Sequence, residues 1–422
     1  MKWKWIYLVL LLVASTLDQA IAAAPLPSAN PRRLGFSPER LERLHKGIES
    51  YIDQGKHAGA ISVIARNGKI ADFTTYGYRD LESKTRMTPD TIVRIYSMSK
   101  VITSAAVLQL VEESRVNLTD PIDRYIPELK RLKVCTGGTA ENPTLVDATN
   151  AITIKHLLTH TAGFAYDFSA REPIAEIYRK ADFWNDSVTL KEFIQRLAKL
   201  PLVHQPGTAF NYGVNIDVLG YLVEVVSGKP FETYLQEHIF GPLRMTDTGF
   251  DVPEEKRSRL AKLYETGPNG FLREVKTPPY GTYAEKGRGF ASGGGGLFST
   301  AGDYLRFGQM LLNHGNLEGK QILGRKTVDL MTANNITFLR NGTLPGNPSE
   351  GFGLGGSVRL DVPKGNSLGS EGQFGWNGAA TTTFNMDPEE KTVALLFTQH
   401  LPYNQHNIFG TFYTLFYASL VD

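Results

Sequence analysis

Ser97 and Lys100 stand three residues apart in Ile95-Tyr96-Ser97-Met98-Ser99-Lys100. That is close to one helical turn, so in a helix the lysine amine would reach the serine oxygen. A serine hydroxyl becomes a strong nucleophile when a neighbouring base takes its proton, and a lysine is such a base only when neutral. Positive potential in the first turn of a helix and desolvation in a cleft both favour the uncharged amine. The flanks suit this placement. Thr91 to Ile95 is rich in branched, strand-like residues, whereas Val101, Ala105, Leu108 and Val111 recur at helical spacing, which puts the pair on a strand-to-helix junction. The four-residue pattern is short enough to arise by chance, so its meaning depends on partners elsewhere.

Three other stretches carry reactive side chains. Tyr212 lies in Phe210-Asn211-Tyr212-Gly213-Val214-Asn215, just before the helical run from Ile216 to Val226. A loop of that kind can aim a side chain into a cleft, although a tyrosine there also reads as core. His156 and His160 have the i, i+4 spacing of a zinc helix, but Leu157 stands where a metalloprotease base would be and no third ligand cluster accompanies them; structural hydrogen bonding is expected, not a metal. The run Gly293 to Gly296 lacks the context of a phosphate loop, so close backbone approach beneath a site is its expected purpose.

These residues need a scaffold, and the pattern supplies one. Ser37-Pro38 reads as an N-cap with proline in the first turn of an amphipathic helix through Leu41, Leu44, Ile48 and Ile52, ending near Gly55. Two strand-like runs follow, separated by Asn67-Gly68, a strong hairpin signal. From about 106 to 270 the pattern is mainly helical, with a polar loop expected over Lys133 to Asn150. Thr300 to Asp303 opens another helix, and the chain ends in strands, a turn at Asp387-Pro388 and a final helix carrying Ile408, Phe412 and Leu415.

The chain has 422 residues, 21% charged and 41% hydrophobic, with 45 basic and 43 acidic side chains for a formal charge of +2. This is ordinary globular composition, and the near-neutral balance gives no warrant for a nucleic-acid partner. The single cysteine, Cys135, excludes an intramolecular disulfide and reads as an incidental loop thiol. Residues 1–24 have the form of a secretory signal: Lys2 and Lys4, an apolar run from Trp5 to Leu17, and small residues at Ala20-Ile21-Ala22. A secreted or periplasmic protein is therefore expected, with no stable membrane partner once the signal is cleaved.

Taken in order, Ser-Met-Ser-Lys, the HLLTHTAGF stretch, the FNYG loop with its VLGYLVEVVSG helix, SGGGGLFSTAGDYLRFGQMLL and a glycine-containing strand closing on Met386-Asp387-Pro388 resemble the serine β-lactamase and penicillin-binding-protein superfamily. The likeness spans roughly residues 35 to 420 and is nearest to class C β-lactamases and family VIII carboxylesterases. It implies an α/β fold of the β-lactamase/transpeptidase type, an antiparallel sheet flanked by helices with an inserted mainly helical domain. The expected division is a linker at 25–36, a discontinuous α/β domain at 37–105 and 271–422, and the helical domain at 106–270.

By the same resemblance Ser97 is the nucleophile, Lys100 and Tyr212 are the proton-transfer groups, and the backbone N–H groups of Ser97 and Ala379 form the oxyanion hole. The lactamase Lys-Thr-Gly triplet falls on Trp376-Asn377-Gly378, and the asparagine expected two residues after the tyrosine is Val214; these four positions are expected to border the substrate. Both departures remove polar recognition of a β-lactam, and they favour a serine hydrolase acting on carboxylic esters, with no cofactor or metal required. A β-lactamase or D-amino-acid peptidase is the alternative within the same chemistry, and a non-catalytic binding protein the alternative outside it. The expected partner is a small acyl ester or amide; the sequence does not specify an oligomeric state.

Overall fold

The computed structural model describes residues 26–184, 188–279, 284 and 290–422; the expected signal at 1–24 lies outside them. Helix α1 (Pro38–Asp53) starts where the Ser37 hydroxyl accepts the Arg40 N–H at 3.3 Å. Strands β1 (Gly59–Arg66) and β2 (Lys69–Asp80) follow. Asn67 and Gly68 between them both take positive φ, 53° and 74°, the turn conformation that matches the twist of a hairpin. Short strand β3 (Thr85–Arg86) completes that edge. The far end of the chain supplies β4 (Glu350–Phe352), β5 (Ser357–Arg359), β6 (Phe374–Gly378), β7 (Thr382–Asp387) and β8 (Thr392–Phe397).

These eight strands form one antiparallel sheet in the order β4-β5-β6-β7-β8-β1-β2-β3. The two ends of the chain meet where β1 pairs β8, Ile61 opposite Phe397. Side chains in this centre alternate between two cores. Ala60, Ile64, Ala394 and Leu396 pack beneath α1 and the last helix, which runs Ile408–Ser419. Ile61, Val63, Val393, Leu395 and Phe397 face the opposite core, where the catalytic residues are expected. A one-residue slip would exchange the two sets, so the register is firmly specified.

The site-bearing core is built around α2 (Ser99–Glu112), which is buried at every residue from Ser99 to Leu110. Its neighbours are α3 (Asn215–Ser227), capped by Gly228 in the left-handed region, and α4 (Ala301–Leu312), capped by the Thr300 hydroxyl. The final helix, Ile408–Ser419, is α5. The boundary expected between 105 and 106 falls inside α2, a single uninterrupted helix. Within 106–270 the short helices Ile154–Leu158, Ile174–Arg179 and Leu190–Leu197 accompany α3.

The polar loop expected over Lys133 to Asn150 is instead an antiparallel hairpin, Lys133–Gly138 with Pro143–Asp147. Its inner strand has a long-range partner that local composition did not reveal: the Cys135 N–H donates to the Leu202 carbonyl at 2.9 Å. Cys135 is accordingly a buried strand residue, 8% exposed, and not a loop thiol.

Candidate functional site

The backbone around Ser97 is held on both sides. Before it, Val93–Arg94 pairs with Phe298–Ser299 and the Ile95 N–H donates to the Leu297 carbonyl at 3.1 Å. After it, the Ser99 hydroxyl at the start of α2 accepts the Leu297 N–H at 3.1 Å. Ser97 itself lies in a 3-10 turn, Tyr96–Met98, one step ahead of α2 and not in its first turn. Tyr96 enters that turn with φ at 42°, a conformation that costs a non-glycine residue on the order of 1 kcal/mol and needs firm surroundings. The outcome is a partly exposed Ser97 above a fully buried Lys100.

The Lys100 ammonium has three protons and three acceptors. It donates to Ser97 Oγ at 3.2 Å, to the Tyr166 hydroxyl at 3.2 Å and to the Gly294 carbonyl at 2.6 Å. The glycine run makes the last of these possible. A Cβ on Gly294 would lie 2.3 Å from the Asp217 carboxylate, and one on Gly293 would lie 2.8 Å from the Ile216 carbonyl, so the close approach expected of this run is present. Asp217, in the first turn of α3, fixes the turn from the other side: its Oδ1 accepts from the Ser292 hydroxyl at 2.5 Å and from the Gly294 N–H at 3.0 Å. Burial pushes the Asp217 carboxyl up, opposed by the nearby Lys100 charge and by these hydrogen bonds.

Tyr212 reaches the site with its ring. Lys100 Nζ lies 4.6 Å from the ring centroid, a cation–π contact, while the Tyr212 hydroxyl accepts from the Trp376 indole N–H at 3.2 Å. The hydroxyl that Lys100 bonds in this structure belongs to Tyr166. His160 holds the Tyr212 loop in place. Its Nδ1 accepts from the Asn215 side-chain amide at 2.9 Å and from the Gly213 N–H at 3.3 Å, and its ring lies 4.7 Å from that of Tyr212. Burial, with a smaller push from Lys100, holds the imidazole well below its ordinary range and so neutral. His156 serves a local cap with Thr153. Val214, expected to border the substrate, is fully buried in the core and does not reach the cavity. The register of the first turn of α3 turns it inward.

Strand β6 brings the remaining residues. Gly378 is there for space: a Cβ would meet the Ile95 carbonyl at 2.3 Å, so a side chain at this position would push β6 away from the Ser97 turn. With glycine, Ala379 and Ser97 share one cavity of about 60 Å³, walled by Tyr96, Tyr166, Phe168 and Trp184 with Ser292, Gly294 and Gly295. None of these described lining residues is charged. Tyr166 stacks on Phe168 at 5.0 Å and lies near-parallel to Trp184 at 6.2 Å. Trp376 packs on the far side of Tyr212, ring centroids 5.6 Å apart, and edge-on to Phe352 at 5.2 Å. Asn377 points the other way, as alternation along a strand demands; its amide donates to the Tyr403 hydroxyl at 2.7 Å and it lines a separate groove. The structure thus brings Ser97 and Ala379 to one cavity, sets Lys100 and Tyr212 behind it, joins Trp376 to Tyr212 by a hydrogen bond, and places Val214 and Asn377 away from that cavity.

Tyr166, Asp217 and the aromatic wall escaped the sequence reading. Tyr166 stands two residues beyond the HLLTHTAGF stretch, and its position there was its one available signal. Asp217 offered another, a lone carboxylate among the apolar residues that open α3, since a buried charge requires a partner.

A family model described as Beta-lactamase matches residues 44–418. The lovastatin esterase of Penicillium rubens is 31% identical over 363 residues, covering 81% of this chain and 88% of that protein. The monacolin J acid methylbutanoyltransferase of Aspergillus terreus is 30% identical over 337 residues, covering 75% and 78% respectively. Among solved structures, EstCE1, a hydrolase with promiscuous acyltransferase activity, superposes with a TM-score of 0.76 at 25% identity over 90% of this chain and 98% of that one.

Proposed function

The chain belongs to the beta-lactamase family and is a serine hydrolase, and from that premise we propose that it cleaves small, uncharged carboxylic esters through an acyl-enzyme on Ser97. The observation that carries the reading is the contact of Ser97 Oγ with Lys100 Nζ at 3.2 Å, at a small cavity whose described lining holds aromatic rings and no charge. Against the described lining residues a substrate carboxylate would lose its hydration without gaining a cation, a penalty of several kcal/mol.

In the proposed cycle Lys100 first releases one of its three protons to solvent, and the neutral amine then takes the Ser97 proton as Oγ bonds to the ester carbonyl carbon. The oxyanion is held by the N–H groups of Ser97 and Ala379, a contribution of about 3 kcal/mol per donor. The C–O bond to the alcohol breaks, and the proton on Lys100 passes to the departing alkoxide. Water, or a second alcohol in a transfer reaction, then attacks the acyl carbon, gives its proton to Lys100, and Ser97 leaves with that proton restored. Tyr166 and Tyr212 flank the amine throughout, one by its hydroxyl and one by its ring. Export of the chain after removal of residues 1–24 is part of the same proposal; the N-terminus of the mature protein, determined by sequencing, tests it.

The test of the activity is kcat/KM for p-nitrophenyl butyrate, nitrocefin and a D-Ala-D-Ala peptide on the purified protein, with a fluorophosphonate to label the nucleophile. Fast ester cleavage, slow nitrocefin turnover and one adduct at Ser97 are expected. Nitrocefin turned over as efficiently as the ester would give the function to the lactamase reading.

A further inference from the structure

Strand β6 has a second face. The buried apolar residues packed beneath α1 and α5 come from β1, β2 and β8, whereas the outer surface of β5, β6 and β7 is only edged by α5, which reaches β7 through Tyr413 and Tyr417. There it forms a groove of about 1000 Å³, bounded by Ser357 and Arg359 of β5, Gly375, Trp376 and Asn377 of β6, Thr383, Phe384 and Asn385 of β7, and one side of α5; Trp376 is the one residue it shares with the surroundings of Tyr212. This volume is at the upper end of small-molecule sites, about 300–1,000 Å³.

The lining is chemically selective. Six of the chain's 20 asparagines converge on it: Asn347, Asn366, Asn377, Asn385, Asn404 and Asn407. Charge is nearly absent, although 21% of the chain is charged. Among the described lining residues the groove has one acid and one base, Glu350 and Arg359, and they pair with each other at 3.4 Å. The other Arg359 amino group is taken by the Ser367 hydroxyl at 2.9 Å. Tyr413 and Tyr417 add half-buried rings whose hydroxyls are tied to Thr383 Oγ1 at 2.7 Å and to the Asp387 carboxylate at 3.0 Å. Fixed rings present apolar surface without a further entropy cost.

An anionic ligand would find no unpaired cation here, and a cationic one no unpaired carboxylate. A wholly apolar ligand would strand the amides, since each side-chain amide offers two donors and an acceptor that must be satisfied. A ligand whose groups both donate and accept at close intervals, and whose ring faces carry C–H bonds to lie against tyrosine, meets all of these demands. We propose that this outer groove binds a neutral oligosaccharide, independently of the acyl chemistry at Ser97.

Isothermal titration of the active protein with maltotetraose, cellotetraose, tetra-N-acetylchitotetraose and, as a charged comparator, tetragalacturonate tests this. At least one neutral tetrasaccharide should bind with a Kd below about 1 mM, and tetragalacturonate about tenfold more weakly or worse. Labelling Ser97 with a fluorophosphonate should leave that affinity unchanged. Asn385→Ala removes a groove amide and Thr414→Trp fills the groove from the exposed side of α5; each should weaken binding about tenfold or more, with ester hydrolysis and Tm unaltered. Failure of every neutral tetrasaccharide to bind an active, folded protein overturns the proposal. So does binding that disappears when Ser97 is labelled, or binding that survives both variants.

Discussion

Lys100 and His57 are both basic side chains closed off from solvent, 0% and 1% exposed, and the fold treats them in opposite ways. Lys100 has an acceptor for each of its protons, and one of those acceptors is the nucleophile. His57 sits against His400 and His406, with ring centroids 4.7 and 5.6 Å away, and neither of its ring nitrogens has a hydrogen-bond partner. A buried base with matched partners can exchange a proton with what it touches. One walled in by other bases is simply kept neutral. Burial creates reactivity at the first site and acid sensitivity at the second, and the difference lies in the partners.

The sharpest way to break that contrast is to remove the matched base. Ser97→Ala and Lys100→Met should each lower kcat for p-nitrophenyl butyrate by about 10⁴-fold or more, and the double variant should be little worse than either, because the groups act as a unit. Circular dichroism should show the fold retained. Turnover within tenfold of wild type in Lys100→Met would demote Lys100 to a structural cation.

The two tyrosines come next. Tyr166→Phe deletes the hydroxyl that Lys100 bonds and leaves the ring stack, so kcat should fall by roughly 10²-fold, the ordinary scale of a lost proton-transfer partner. Tyr212→Phe keeps the ring over the amine but strands the Trp376 indole N–H; it too should cost roughly 10²-fold if its hydroxyl takes part in proton transfer once substrate is bound. A Tyr212→Phe enzyme with normal kcat would mean that the ring alone serves. Asp217→Asn is milder. It keeps an oxygen for the Gly294 N–H but removes the charge behind the glycine turn, so kcat/KM should fall about tenfold, with a displaced pH profile. An unshifted profile with a lowered Tm would reduce Asp217 to a scaffold residue.

How far the sequence could be read follows the same division between local and distant partners. The Ser37 cap, the Asn67-Gly68 turn, the helix opened at Thr300 and the strand-like runs of β1, β2 and β8 are decided within a few residues, and they stand in the structure where the pattern put them. The hairpin at Lys133–Gly138 was missed because its decisive partner, Leu202, is remote in the chain. Ser97 and Lys100 were legible because their contact is local. Tyr166 meets Lys100 across 66 positions and Gly294 across 194, and no spacing rule encodes either. Val214 was misplaced for a related reason: the resemblance supplied the position, but the side chain's direction depends on how the first turn of α3 enters the core.

The smallest expected effect concerns the unmatched base. Burial, reinforced by the neighbouring His400, His406 and Lys56, holds His57 down at about 3, and burial with His406 beside it holds His400 at about 4, whereas both would titrate near 6.5 in an unfolded chain. Between those values the unfolded state binds more protons than the fold, so stability is complete above about pH 6.5 and is lost progressively as pH falls towards 3 to 4. At about 1.4 kcal/mol per pKa unit, His57 alone accounts for a loss on the order of 5 kcal/mol across that window. The Tyr51 ring and the Thr266 hydroxyl, which His400 and His406 contact, complete the surroundings and supply no compensating negative charge. His57→Phe preserves a ring of similar shape, removes two unpartnered nitrogens and abolishes the titration. Its Tm at pH 7.5 should equal or slightly exceed that of wild type, and the gap should widen by several degrees at pH 5. Ester hydrolysis at pH 7.5 should be unchanged, because His57 touches none of the Ser97 cavity. Equal acid sensitivity in the variant and the wild type would place the acid-labile group elsewhere and erase the contrast with Lys100.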